Sequence, residues 1–210
     1  MLTLNRLCGS GIQSIISASQ MIMLGEANTV VAGGMENLSQ APHVLRGMRS
    51  TYKLGRPPRE GDELSKDMED YLFTNLLDTT CDSFMAQTSD EICRRVGVTR
   101  EEADSFAVIS HSRTENSVDN GVWAEEIVDV ETADGLVSAT EEDHFVRGTS
   151  DESLGALRTH FGPTSLVTAG NASGVVDGAA AVVLKSASQA ASDGDKPIAR
   201  IVNWGIVGLE

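Results

Sequence analysis

The chain has 210 residues, of which 40% are hydrophobic, and a formal net charge of −15 at pH 7. This length is sufficient for one or two domains with a hydrophobic core, and no apolar run reaches the roughly 18 residues that span a bilayer, which argues against a membrane partner. The negative charge argues against nucleic acid as a partner, because the phosphates would be repelled.

The first 37 residues have the pattern of a β-α-β unit. Residues 2–4 have a strand-like composition, and a helix is predicted to begin at Gly9 and to stop at Gly25. The apolar face of this helix recurs every three or four residues, at Ile12, Ile15, Ile16, Ser19 and Ile22 or Met23. The run TVVAGG, residues 29–34, then predicts a short buried strand.

The middle of the chain holds most of the charges and several irregular connectors, which predicts a mixed α+β insertion. Thr99 and Glu102 form a capping box, and the helix that it opens is predicted to end near residues 120–121. Residues 85–96 (MAQTSDEICRRV) predict a second helix. Residues 125–131 (EEIVDVE) alternate as in a half-buried strand.

The last part of the chain returns to an α/β pattern. A glycine-rich turn leads into a strand of small apolar residues over 166–184, a short helix or loop follows at 186–192, and residues 197–207 (PIARIVNWGIV) predict another strand. Because the chain begins and ends inside elements that should be buried, we expect it to be a fragment or a truncated gene product.

Cys8 lies between a short extended run and the glycines of the sequence GSG, where the first helix begins. A thiol at a helix N-terminus experiences the positive end of the helix dipole, which favours the nucleophilic thiolate. Gly9 and Gly11 would let a substrate approach and would leave backbone N–H groups for an oxyanion. The alternative is a buried structural cysteine, and the local sequence leaves both interpretations open.

The remaining cysteines and the histidines give no further catalytic signal. Cys81 and Cys93 lack metal-ligand spacing and are expected to be structural, and three scattered cysteines favour a reducing location inside the cell, in the cytoplasm or, in a eukaryote, in a mitochondrion or peroxisome. None of the four histidines has an obvious catalytic context: His43, His111, His144 and His160. His111 falls within the helix predicted to begin at Thr99, and we expect its side chain to be solvated or hydrogen-bonded there.

An anionic substrate would need positive charge gathered locally on so acidic a protein. The candidate side chains are Lys53, Arg56, Arg59, Arg147 and Arg158. Separately, the glycines of TAGNASGVVDG allow a tight loop, in which Asn171 and Ser173 offer side-chain hydrogen bonds. The alternative for this loop is a compact turn packed against a helix.

Three stretches together resemble the thiolase family: LNRLCGSG, VAGGMENLSQAP and TAGNASGVVDGAAAVVL. The resemblance covers essentially the whole chain and is nearest to the 3-ketoacyl-CoA and acetoacetyl-CoA thiolases. It implies a partial thiolase-like α/β fold, in which β-α-β core pieces flank an α+β loop domain. The implied parts are residues 1–37 in the N-terminal core, 38–175 as the loop domain, 176–195 returning to that core, and 196–210 as the first strand of a C-terminal domain.

The resemblance also implies the roles of individual residues. Cys8 corresponds to the nucleophile that becomes the acyl-cysteine. Seven further positions correspond to contacts with coenzyme A (CoA) or its acyl group: Ala169 and Ser173 for the pantetheine arm, Arg147, Ser153 and Phe161 for the nucleotide end or the tunnel wall, and Met85 and Leu76 for the acyl pocket. Phe84 stands where acetoacetyl-CoA thiolases often carry histidine, which favours an acyl chain other than the smallest.

The implied function is that of an acyltransferase acting in fatty-acid metabolism, for example in β-oxidation. A 3-ketoacyl-CoA would be cleaved by CoA to acetyl-CoA and a shortened acyl-CoA, or formed in the reverse condensation. CoA is a substrate, no metal or cofactor is implied, and family members form homodimers or homotetramers. The base histidine, the second cysteine and an asparagine motif of thiolases are expected outside this chain, so the isolated chain is expected to be inactive.

Alternatives stay open on the sequence alone. One is an acetoacetyl-CoA thiolase. Another is a non-catalytic remnant that binds CoA or other thiolase subunits. A third, weaker alternative is a related ketoacyl synthase. The resemblance of the loop domain to that of thiolases argues against it.

Overall fold

The structure is a computed structural model that describes residues 1–46, 68–133, 135–137 and 144–208. The chain divides into two compact units, one formed by Met1–Ser39 with Val176–Glu210 and the other by Gln40–Val175. Three of the candidate cations lie outside the described residues: Lys53, Arg56 and Arg59.

The first unit is built on a two-stranded antiparallel sheet. Its elements are α1 (Ser10–Met23), β1 (Thr29–Asn37), a 3₁₀ turn (Leu38–Gln40), β8 (Asp177–Lys185) and α6 (Ala187–Asp193). β1 pairs with β8 along its whole length, from Thr29 opposite Lys185 to Asn37 opposite Asp177. α1 packs against this pair, and the buried side chains come from α1, β1 and α6: Ile16, Ala18, Ser19, Ala32 and Ala190.

Several predictions for this unit are confirmed and others are wrong. α1, its stop at Gly25, the strand β8 and the helix α6 form as predicted. The predicted strands at residues 2–4 and 197–207 are absent, and β1 is paired but mostly exposed, with Val31 at 69%. A strand needs a neighbour for its N–H and C=O groups, and neither predicted segment has one among the described residues. The β-α-β unit is therefore not formed by the described residues.

The apolar face of α1 is also narrower than predicted. Ile16 and Ser19 are buried and Ile15 and Ile22 are half-buried, whereas Ile12 and Met23 are exposed. The helix ends present these apolar side chains outward, because the sheet beneath consists of two strands in the described structure.

The second unit combines short antiparallel strand pairs with two long helices. Its elements are β2 (His43–Leu45), β3 (Met68–Asp70), α2 (Tyr71–Asn75), β4 (Leu77–Asp78), β5 (Ser83–Phe84), α3 (Met85–Val96), α4 (Arg100–Asp119), a 3₁₀ turn (Val122–Glu125), β6 (Val130–Thr132), β7 (Gly135–Val137) and α5 (Asp151–Gly155). β2 pairs with β3, β4 with β5, and β6 with β7.

Local signals predicted the two long helices of this unit well, whereas the short helices α2 and α5 were not predicted. α3 has the predicted bounds and ends at Gly97, whose φ of 78° is the left-handed conformation that favours glycine at a helix end. The capping box of Thr99 and Glu102 opens α4 as predicted. The half-buried strand predicted over residues 125–131 is wrong, since its first residue belongs to a 3₁₀ turn and only the last two join the exposed strand β6.

Candidate functional site

Cys8 is exposed on a strained turn immediately before α1. Leu7 has φ 46°, which is unfavourable for a residue with a side chain. Two side chains hold this turn. The N–H of Leu7 donates to Asn5 Oδ1 at 2.8 Å, and Ser10 Oγ both donates to the Leu7 carbonyl at 2.6 Å and accepts from the Arg6 N–H at 2.8 Å.

The exposure of Cys8 contradicts one of the two interpretations of this residue, the buried structural cysteine. Because the thiol is exposed, a buried structural role is wrong. The N–H groups of Gly9 and Ser10 are already used, since they donate to the carbonyls of Arg6 and Leu7 at 3.0 Å each. Gly9 therefore does not offer the free N–H that the sequence suggested, whereas the Gly11 N–H makes no hydrogen bond to another described residue.

The unit that carries Cys8 contains no histidine. All four histidines of the sequence lie in the second unit, between residues 40 and 175. A thiol nucleophile needs a base to take its proton. The first unit thus presents an exposed thiol without an imidazole partner of its own.

The glycine-rich loop before β8 is locked by Asn171. Asn171 Nδ2 donates to Asp104 Oδ1 at 2.9 Å and to the Leu166 carbonyl at 2.8 Å, and Asn171 Oδ1 accepts from the Thr168 N–H at 2.8 Å. Thr168 is 1% exposed. The loop is a compact turn packed on helix α4. The Asn171 side chain stabilises this turn with both its Nδ2 donor and its Oδ1 acceptor.

This locked loop displays two of the predicted contacts for the pantetheine arm. Ala169 and Ser173 are both exposed on it. Between them, the Gly170 carbonyl lies 3.2 Å from His111 Nε2, while His111 Nδ1 accepts from the Val146 N–H at 3.1 Å. His111 is therefore hydrogen-bonded at both nitrogens, which confirms that it has a satisfied, structural environment.

Side chains on one face of α4 form hydrogen bonds and ion pairs with the loops of the second unit. They recur at helical spacing: Arg100, Asp104, His111, Glu115 and Asp119. Arg100 Nε pairs with Asp104 Oδ2 at 2.7 Å, and its guanidinium also donates to the carbonyls of Leu154 and Leu157 at 2.8 and 3.1 Å. Sequence reasoning missed this face, although the polar residues at helical spacing were a readable signal.

Arg147 is an exposed cation held by α4. It pairs with Asp119 at 2.9 Å and with Glu115 at 3.4 Å, and its guanidinium lies 5.3 Å from the centre of the Phe145 ring. The hydrogen bond to Asp119 raises the pKa of Arg147 above its usual value. A phosphate bound here would share this arginine with two carboxylates. The other described candidate, Arg158, is exposed.

Ser153 lies in the first turn of α5 and is part of its capping box. The Ser150 N–H donates to Ser153 Oγ at 3.0 Å, and the Ser153 N–H donates to Ser150 Oγ at 3.2 Å. The hydroxyl also donates to the Ser150 carbonyl at 2.9 Å. It can still serve a ligand as an acceptor, but its first role is to begin this helix.

Three aromatic rings bring the predicted acyl-pocket positions together. Phe84 lies between Phe73 and Phe161, with ring centres 4.3 and 6.0 Å away. The Met85 N–H donates to the Leu76 carbonyl at 3.2 Å. Phe161 therefore stacks on Phe84, Met85 follows Phe84 in the chain, and Leu76 is joined to Met85 through the backbone, with the side chains of Leu76 and Met85 exposed. Phe73 was not predicted from the sequence, because its contact with Phe84 depends on how α2 and the β4–β5 pair fold together.

The described part of the chain shows neither a metal-binding cluster nor a membrane-spanning helix. It holds no group of three or more histidine, cysteine, aspartate or glutamate side chains that could bind a metal ion. None of its helices is long and apolar enough to cross a membrane. Of the predicted site residues, Cys8 belongs to the first unit and the other seven belong to the second.

Comparisons with known proteins point to a single family. The thiolase N-terminal domain family matches residues 1–188. The chain is 37% identical to an acetyl-CoA acetyltransferase of Rhizobium meliloti (strain 1021), covering 99% of this chain and 51% of that protein. It is 36% identical to the mitochondrial 3-ketoacyl-CoA thiolase of Homo sapiens, covering 100% of this chain and 51% of that protein.

Solved structures give the same picture. Crystal structures of human mitochondrial 3-ketoacyl-CoA thiolase, without and with CoA, each superpose with a TM-score of 0.80 at 35% identity. The alignments cover 93% of this chain and 48% and 47% of the two solved chains. The chain thus spans about half the length of the relatives that it matches.

Proposed function

The chain belongs to the thiolase family, and on that premise we propose that it supplies the acyl-carrying cysteine and the CoA-binding loop of an acyl-CoA acyltransferase. The likeness to solved thiolases also confirms the partial thiolase-like α/β fold. The observation that carries the proposal is the exposed Cys8 thiol on a strained turn in front of α1. Side chains that hold a nucleophile in such a turn are typical of covalent catalysis.

In the proposed reaction, the Cys8 thiolate attacks the C3 carbonyl of a 3-ketoacyl-CoA. The C2–C3 bond breaks, the acyl group stays on Cys8, and acetyl-CoA leaves after its C2 carbon takes a proton. The thiol of a free CoA then attacks the thioester and releases the shortened acyl-CoA. The reverse sequence is a condensation. CoA is a substrate, and the proposal requires no metal or other cofactor.

The proton transfers need a base, and the first unit contains no histidine to serve as one. We propose that segments beyond residues 1–210 complete the site, so that the isolated chain binds CoA without turnover. The test is a chimaera in which residues 1–210 replace the matching segment of the Rhizobium meliloti relative. Thiolysis by the chimaera, with none by the isolated chain, supports the proposal. An inactive, well-folded chimaera that binds CoA would instead favour the non-catalytic remnant.

CoA binding is proposed for the second unit. One structural relative is described in complex with CoA, and the exposed Ala169 and Ser173 on the locked loop support the same ligand here. Arg147 is proposed to bind a phosphate at the nucleotide end. Ser153 and Phe161 are proposed to contact the nucleotide end of CoA or to line the tunnel. Leu76 and Met85 are proposed to line the acyl pocket.

Replacing Arg147 with glutamine is expected to weaken CoA binding by about tenfold, because a charge-assisted hydrogen bond to phosphate is lost and the two carboxylates beside the site, Glu115 and Asp119, lose their cation. The measurement is titration calorimetry of the 210-residue chain with CoA. Arg94→Gln is the matched control, since Arg94 is also an exposed arginine paired with a glutamate, Glu91. Equal affinities in wild type and Arg147→Gln would remove Arg147 from the site.

We further propose that the preferred substrate is a 3-ketoacyl-CoA longer than acetoacetyl-CoA. Phe84, stacked between Phe73 and Phe161, makes the proposed acyl pocket apolar at this position. Phe84→His in the chimaera is expected to shift the ratio of kcat/KM values toward acetoacetyl-CoA by about tenfold, the scale of one or two methylene contacts. An unchanged ratio would leave acetoacetyl-CoA thiolase as the better assignment.

The proposal extends to the setting of the protein. Action in fatty-acid β-oxidation, within the cytoplasm, a mitochondrion or a peroxisome, agrees with the mitochondrial thiolases among the relatives. Assembly as a homodimer or homotetramer is proposed for the complete enzyme. Sedimentation of the chimaera at a monomer mass would contradict that assembly.

A further inference from the structure

We propose that Asp104 is a positioning residue that fixes the CoA-binding loop through Asn171. The inference rests on the proposed function, because it concerns the loop that displays Ala169 and Ser173 to the pantetheine arm. Asp104 itself touches no substrate in this account. Its place is on α4, 67 positions before Asn171 in the sequence.

Both oxygens of Asp104 are engaged, and the residue is 3% exposed. Oδ1 accepts from Asn171 Nδ2 at 2.9 Å, and Oδ2 accepts from Arg100 Nε at 2.7 Å. A buried ion pair contributes little net stability, because desolvation offsets its attraction. Its effect is geometric, since each oxygen of the carboxylate accepts one donor and the carboxylate thereby fixes the separation of Arg100 and Asn171.

The pair connects three segments of the second unit. Arg100 also donates to the carbonyls of Leu154 and Leu157 at the end of α5. Side chains of the same two leucines crowd Gly170 on the loop. Asp104 therefore holds α4, the end of α5 and the loop in one arrangement. Without it, Asn171 keeps its bonds within the loop but loses its link to α4, and the contact of His111 with the Gly170 carbonyl remains as the other side-chain link between α4 and the loop.

Asp104→Asn breaks this arrangement with a minimal change of shape. An asparagine has one accepting oxygen, so its NH2 group must face a donor, either Arg100 Nε–H or Asn171 Nδ2–H, whichever way the amide is turned. Asn171→Asp breaks the same link from the loop side and leaves the Arg100 pair intact, although it also removes the bond from Asn171 Nδ2 to the Leu166 carbonyl. Asn116→Asp is the matched control, because it makes the same amide-to-acid change on the exposed side of α4.

The experiment combines hydrogen–deuterium exchange with ligand binding, using the 210-residue chain. In Asp104→Asn and Asn171→Asp, the amides of residues 168–172 are expected to exchange about tenfold faster, as for a lost buried hydrogen bond, while α3 exchanges as in wild type. Affinities for CoA and for pantetheine are expected to fall together, about tenfold. Arg147→Gln should weaken CoA alone, which separates loop positioning from phosphate binding.

The outcomes are distinct. Unchanged exchange in the loop would overturn the positioning role. Faster exchange with unchanged affinity for both ligands, in a chain whose wild type binds them, would overturn it as well. A wild type that binds neither CoA nor pantetheine would reject the proposed function and this role together. If Asp104→Asn does not fold, Asn171→Asp decides by the same criteria.

Discussion

Replacing Cys8 with serine is expected to lower thiolysis by the chimaera about 10³-fold or more. A serine hydroxyl is a far weaker nucleophile than a thiolate unless a base removes its proton, and removing the attacking atom from a catalytic group costs nearly the whole benefit of covalent catalysis. The substitution is almost isosteric and lies on an exposed turn, so folding should be unaffected. The measurement is the steady-state rate of CoA-dependent cleavage of a 3-ketoacyl-CoA.

Cys81→Ser is the matched control for this prediction. Cys81 is also an exposed free cysteine, and it lies in the second unit. Its replacement should leave the rate within about twofold of the wild-type chimaera, as for surface substitutions away from a site. If the two variants lost activity equally, the effect would not be specific to Cys8, and the assignment of the nucleophile would fail.

Gly170→Ala is expected to lower the free energy of unfolding by about 1–3 kcal/mol, the usual cost of overpacking. A Cβ atom at Gly170 would overlap Leu154 Cδ2 and would come within 2.7 Å of Leu157 Cδ1. Leu154 is buried and has little room to move. The loop would have to shift away from α5, so CoA affinity should fall as well. Urea denaturation and calorimetry measure the two effects.

Gly178→Ala provides the control within the same glycine-rich stretch. A Cβ at Gly178 meets no atom within 4 Å, so its stability and CoA affinity should stay close to wild type. Leu157→Ala combined with Gly170→Ala should recover part of the lost stability, because it removes one of the two overlapping side chains. A fully stable Gly170→Ala protein would contradict the close packing between the loop and α5.

The longer helices α1, α3 and α4 could be predicted because their signals are local, whereas the five-residue helices α2 and α5 were missed. Thr99 and Glu102 define the start of α4 within four residues, and Gly97 ends α3 in the conformation that only glycine adopts easily. Local signals were not sufficient at residues 2–4 and 197–207, where the predicted strands do not form. A strand depends on a partner elsewhere in the chain, and β-propensity reports little more than fitness for a pleated, packed surface.

The parts of the candidate site that lie in contiguous motifs could be predicted from the sequence: Cys8 with its flanking glycines, and the loop around Asn171. The side chains that hold the loop in place are far from it in the sequence and could not. Asp104 lies in a helix where a carboxylate usually faces solvent, and only the fold shows it buried against Asn171. The carboxylate partners of Arg147 likewise come from α4, and the sequence does not pair them.

The most direct test of the central claim is to find the acyl group on Cys8 itself. Trypsin should release residues 7–46 as one peptide whose sole cysteine is Cys8, while Cys81 and Cys93 share the peptide of residues 67–94. After incubation of the wild-type chimaera with acetyl-CoA and acid quenching, mass spectrometry should find one acetyl group on residues 7–46. An acetyl group confined to residues 67–94, or none on either peptide in an active chimaera, would contradict the account.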